Sequence, residues 1–185
     1  MPQKTHNIYI LNGPNLNLLG VREPKIYGRV PLREIQQRCE TVASSVGLTC
    51  DFRQSNHEGE LIEWIHEARE RSSGVIINPT GYSFYSIVLL DALKMVDLPI
   101  IEIHISNIFR RESYYHDSIV SFVATGVICG FGAYGYEMAI HAMAEQLRTS
   151  KPAKKAGYPE GRPGHSRAPI YEGKLKDTSI VRSQS

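Results

Sequence analysis

The apolar positions of residues 1–150 follow two alternating patterns. Short, nearly continuous runs at 8–12, 74–78 and 98–104 are too brief for helices and rich in isoleucine, so each predicts a buried strand. Between the runs, apolar residues recur every three or four positions. Leu32, Ile35, Cys39, Val42, Ala43 and Val46 predict a helix over 31–46, and Gly47 stands where its C-terminal cap belongs. Residues 48–53 predict a second strand. Ser55-Asn56-His57-Glu58 has capping-box spacing, and Leu61, Ile62, Trp64, Ile65 and Ala68 continue the helix it opens. Helices over 83–95 and 134–147 and a fifth strand over 124–131 complete the series.

Strands this continuous are apolar on both faces, which implies a parallel sheet sandwiched by helices. Right-handed crossovers then give an α/β, flavodoxin-like fold: a doubly wound five-stranded parallel sheet with helices on both faces, formed as one domain over 1–150. Such folds bind ligands beyond the carboxyl ends of their strands, so the site is expected just after residues 12, 78 and 104.

Composition narrows the class. Of 185 residues, 42% are hydrophobic and 22% charged, which excludes wholesale disorder. No apolar run approaches the ~18–20 residues of a membrane helix, and the run after the amino terminus is too short for a secretory segment. Cys39, Cys50 and Cys129 show no C-x-x-C spacing, against a disulfide scaffold or a structural zinc. A cytoplasmic protein without a metal is the expectation. The net charge of +2 hides an asymmetry, since residues 151–185 carry +5 and residues 1–150 carry −3. That tail holds four of the ten prolines and is expected to be extended or wrapped on a partner. No stacking motif accompanies its charge, so nucleic acid is not an expected partner.

Each expected site position holds polar groups. After the first run comes LNGPNLNLLG (11–20), whose asparagines suit backbone caps in a Gly/Pro turn. It lacks the spacing of a phosphate loop and the Ser/Thr content of a flavin loop. Gly20 and Gly28 border a polar segment that suits a mobile lid and contains Arg22 and Tyr27. A phenol with its ordinary pKa of ~10 is a poor base at neutral pH, and a guanidinium close by stabilises its phenolate. Glu102-Ile103-His104 ends the fourth run, and residues two apart share one side of a strand. The pair suits either an ordinary ion pair or a carboxylate that orients an imidazole for general acid work. Ser106, Asn107, Arg110 and Arg111 follow with donors for an anion. GFGAYG (130–135) imitates a dinucleotide fingerprint but fails by register and falls at the last strand.

Five separated segments together resemble one family. LNGPNLNLLG, Arg22-Glu23-Pro24 with Tyr27-Gly28, FRQSNHEGEL (52–61), IEIHISN (101–107) and residues 124–132 are similar to type II 3-dehydroquinate dehydratases, over roughly 7–148. The resemblance implies a cofactor-free elimination of water from a small cyclic carboxylate, 3-dehydroquinate, and trimers assembled into a dodecamer. It implies Tyr27, activated by Arg22, as the base that forms an enolate, with Asn15 orienting a water on the oxyanion. His104, oriented by Glu102, would protonate the departing hydroxyl. Asn78, Ser106 and the Ile105 amide would hold the carboxylate, and Arg111 the substrate. Asp91 would reach into a neighbouring subunit's site. A role in aromatic biosynthesis or in quinate catabolism is compatible.

Three positions depart from the family pattern. Phe84 replaces a histidine, Leu90 an arginine, and Tyr115 an arginine that touches substrate hydroxyls. Phe84 and Tyr115 cannot supply those contacts, worth ~0.5–3 kcal/mol each. Besides the dehydratase, two readings stay open: a relative acting on another hydroxylated or less polar cyclic ketone, and an inactive oligomeric binding protein.

Overall fold

In the computed structural model, which describes residues 6–149, five strands form one fully parallel sheet. They are β1 (His6–Asn12), β2 (Leu48–Gln54), β3 (Gly74–Asn78), β4 (Ile100–His104) and β5 (Gly126–Cys129), in the order β2-β1-β3-β4-β5. The helices are α1 (Pro24–Tyr27), α2 (Leu32–Ser45), α3 (Glu58–Arg71), α4 (Ile87–Lys94) and α5 (Tyr134–Thr149). This is the doubly wound α/β architecture that the alternating pattern predicts. Along β1, Ile8 and Ile10 face a core shared with α2 and α5. Tyr9 and Leu11 face a second core shared with α3 and α4. Period-two alternation with both faces apolar is the reason the run contains no polar residue before Asn12. Among the described residues no helix is long and apolar enough to cross a membrane. The tail expected over 151–185 lies outside the described residues.

Some boundaries differ from expectation for local reasons. The capping box does not form: α3 starts at Glu58 with His57 as its cap. Ser55 Oγ instead accepts the His57 amide at 2.8 Å and donates to Glu60, while Glu58 receives the Ser86 hydroxyl. The helix expected from 83 begins at Ile87, because Ser86 caps it through the Leu89 amide and Thr80–Phe84 form a 3-10 turn. β5 ends at Cys129, where Gly130 turns away at φ +91° and a Cβ would stand 2.9 Å from that of Asn107.

The chain order reverses between β1 and β3. From β1 it runs outward to β2 and then crosses back to β3 on the other side, which opens a crevice beyond the strand ends.

Candidate active site

A cavity of about 360 Å³ occupies that crevice. Each expected strand end contributes: Asn15 after β1, Asn78 at the end of β3, and His104, Ile105 and Ser106 at the end of β4. The first and third loops touch directly. The Gly13 amide donates to the Asn78 carbonyl at 2.8 Å, and a Cβ at Gly13 would stand 2.7 Å from the Pro79 oxygen. Asn15 is left-handed at φ +68°, a conformation asparagine tolerates, and its amide is held by Asn56 Oδ1 at 2.8 Å. The backbone of this loop therefore explains its glycine and asparagine.

Asn78 is held from below. Its Nδ2 donates to the Tyr136 hydroxyl at 3.0 Å, which donates onward to Asn12 Oδ1 at 2.6 Å. Burial pushes the Tyr136 phenol up, so it stays neutral and can serve as both acceptor and donor. Asn12 closes the chain by donating to the Arg53 carbonyl at 2.9 Å.

Glu102 and His104 share one side of β4, as the spacing predicts. His104 Nε2 lies 2.7 Å from Glu102 Oε1, leaving Nδ1 as the ring nitrogen Glu102 does not engage. Glu102 is completely buried and takes hydroxyl hydrogen bonds from Ser118 and Ser121. Burial alone would push its carboxyl up, but the His104 hydrogen bond and charge, with the two hydroxyls, hold it below the usual range. His104 lines the cavity with Glu102 behind it.

Tyr27 lies at the end of α1 and lines the same cavity. The hydrogen bond to its hydroxyl comes from Arg111 Nη1 at 2.9 Å, not from Arg22. Arg22 sits on the ring, 5.3 Å from its centroid, with its Nε 3.3 Å from Glu23. Only four residues separate Arg22 from Tyr27 along this short segment, and it meets the ring rather than the tip. Arg111 arrives from across the cavity. Burial pulls its pKa down, but the hydrogen bond and charge of Tyr27 outweigh that and raise it, so the guanidinium stays charged.

Two of the three departures, Phe84 and Tyr115, meet on one wall of the cavity. Phe84 stacks on His104 with centroids 6.2 Å apart, and its ring meets Tyr115 edge-on at 5.2 Å. Leu90 is buried in α4 and does not line the cavity. Asp91 also stands apart, on the exposed face of α4, with its side chain 79% accessible and 3.8 Å from Lys94.

Residues 6–144 match the family described as Dehydroquinase class II. The chain belongs to this family. A relative, 3-dehydroquinate dehydratase 1 of Agrobacterium fabrum, is 54% identical over 136 residues, spanning 74% of this chain and 94% of its own. The 3-dehydroquinate dehydratase of Caulobacter vibrioides is 56% identical over 141 residues, 76% of this chain and 97% of its own. The crystal structure of type II dehydroquinase from Propionibacterium acnes matches with a TM-score of 0.74 at 42% identity, covering 76% of this chain and 97% of that one. These relatives lend no support to the other two readings of the sequence.

Tyr136, Ser118 and Ser121 are the residues that sequence reasoning misses. Tyr136 sits in the first turn of α5, Ser118 lies in irregular chain between β4 and β5, and Ser121 lies in the 3-10 turn Val120–Phe122 that follows it. No local spacing marks any of them, because each acts on a residue from a different segment.

Proposed function

We propose that this chain is a hydro-lyase that removes water from 3-dehydroquinate to give 3-dehydroshikimate through an enolate. One observation carries the reading: a phenol with a guanidinium on its oxygen and an imidazole with a carboxylate behind it line one small cavity. The Tyr27 phenolate takes a proton from the carbon next to the ketone, and Arg111 and Arg22 stabilise that phenolate. The electrons move onto the ketone oxygen, where a water oriented by Asn15 supports the charge. His104 then gives its proton to the leaving hydroxyl as the double bond forms, with Glu102 stabilising the imidazolium beforehand. The balance is one water lost and one conjugated enone gained.

Asn78, Ser106 and the Ile105 amide hold the carboxylate of the substrate. No step in this scheme requires a metal or an organic cofactor. A homo-oligomer built on trimers is also proposed, with Asp91 offered to a neighbouring site. The exposed Ile87, Val88 and Met95 near Asp91 support that placement.

Purified protein incubated with 3-dehydroquinate should develop the ultraviolet absorbance of the conjugated product. Tyr27→Phe should abolish it while leaving the fold intact. Normal turnover by that variant would remove Tyr27 from the mechanism, and a wild-type protein inert toward 3-dehydroquinate would overturn the assignment.

A further inference from the structure

The Arg111 guanidinium makes one long ion pair among the described residues, to Glu112 at 3.8 Å from Nε, and the Glu112 side chain is itself well exposed. What lies against the cation is a ring: the guanidinium carbon stands 3.9 Å from the centroid of Tyr115. Cation–π contacts become stronger where water is displaced, and the Arg111 side chain is only 18% accessible. Tyr115 is itself fixed from two sides, by the Phe84 ring at 5.2 Å and by Tyr114 at 4.4 Å. The Arg111 backbone is held as well, since His116 Nε2 lies 3.0 Å from its carbonyl oxygen. A long, flexible side chain is thereby fixed at its root and along its plane, with one N–H left on Tyr27.

We propose that Tyr115 is a positioning residue for the proton-abstracting pair: its ring face holds Arg111 where Nη1 reaches the Tyr27 hydroxyl. Tyr115 thus acts on the base through Arg111, whatever else it does at the cavity wall. The groups that bear on Tyr27 are Arg22 on its ring, Arg111 on its oxygen, and Lys25 and Arg110 along the outer groove it also lines. Glu23 and Glu112 lie beside the two guanidiniums, and His104 lines the same cavity. Of these, only Arg111 rests on Tyr115.

The test reads Tyr27 without any substrate. Protein carrying 13Cζ-labelled tyrosine is titrated by NMR, and the Tyr27 signal is assigned by its loss in Tyr27→Phe. In Tyr115→Leu the Tyr27 midpoint should move upward, because Arg111 is no longer held with Nη1 on the phenol oxygen. Tyr115→Phe keeps the π face and should hold the midpoint with the wild type. Should the leucine variant fail to fold, Tyr115→Met gives the same comparison with apolar bulk and no ring.

A midpoint unmoved in Tyr115→Leu or Tyr115→Met would overturn the inference. An equal rise in Tyr115→Phe would do the same, by assigning the effect to the hydroxyl. A kinetic arm rests on the dehydratase reading: the acidic limb of kcat/KM for 3-dehydroquinate should move upward with the midpoint. A role confined to substrate contact would raise KM and leave that limb in place, against the proposal. Wild-type protein without turnover would refute the assigned substrate while leaving the ligand-free titration decisive for Tyr115.

Discussion

Tyr136→Phe removes one oxygen atom and should cost more than its size suggests. The hydroxyl accepts from Asn78 Nδ2 at 3.0 Å and donates to Asn12 Oδ1 at 2.6 Å. Asn12 is completely buried, so water cannot replace its lost partner without opening the core, whereas Asn78 lines the cavity and can take a water there. A buried polar group left unpaired costs ~1–3 kcal/mol, which sets the loss at Asn12. The ring stays, so no cavity penalty is added. For a chain of this size each kcal/mol moves Tm by ~2–4 °C, so the expected fall is ~2 °C or more. Thermal and urea unfolding at fixed protein concentration measure it. The variant should also show a raised KM for 3-dehydroquinate, because Asn78 loses the contact that aims its amide. Unfolding curves that superimpose on the wild type would show that the hydroxyl bridge carries no energy, and the account of Asn78 would fall with it.

Acid should weaken the fold through Glu102, whose folded carboxyl lies below its usual value despite burial. Its contribution is complete above the unfolded pKa of ~4.3 and is lost as pH falls through the lower folded value. The stability gap between wild type and Glu102→Gln should therefore narrow in that window, and a gap constant with pH would contradict the sign. Gly13→Ala forces a Cβ to within 2.7 Å of the Pro79 oxygen and should destabilise by ~1–3 kcal/mol by chemical denaturation. A loss too small to measure would mean that the loops after β1 and β3 are not pressed together. Thr80, a β-branched residue at φ +53° with an unpartnered buried hydroxyl, should behave oppositely. Thr80→Gly relieves ~1–2 kcal/mol of left-handed strain against ~0.5–1 of added chain entropy, so Tm should rise slightly. A lower Tm would show that the side chain contributes binding energy of its own.

The fold was legible because its signals are local and repeated. Runs such as 74–78 have no polar position before their last residue, and only a strand covered on both faces explains that. Helix α2 shows the same economy, with Ile35, Cys39 and Ala43 buried four residues apart and Gly47 at φ +78° just past its end. Boundaries failed where a side chain had a better partner elsewhere. Glu58 had the spacing to cap its own helix, but Ser86, 28 residues away in sequence, took its carboxylate. A spacing rule weighs only neighbours along the chain, and this competitor came from another loop.

The site divides along the same line. Strand order placed the cavity, because residues after β1, β3 and β4 must meet where the chain reverses. The Glu102–His104 contact was legible because it lies within one strand at the period of the strand. The Arg111–Tyr27 bond spans 84 residues and joins α1 to the loop after β4, so proximity in sequence pointed to Arg22 instead. Phe84 and Tyr115 are the sharper case. Judged as isolated replacements, Phe84 only removes a hydrogen-bonding group from the cavity wall and Tyr115 only removes a cation. Judged together, one ring lies against His104 and the other beneath Arg111, and the two meet edge to face. Two aromatic residues thus connect the imidazole to the guanidinium that holds the phenol, across a wall where either change alone would lack its support. Single-position reasoning counts what each side chain loses, whereas the energetics depend on what the pair gains from one another.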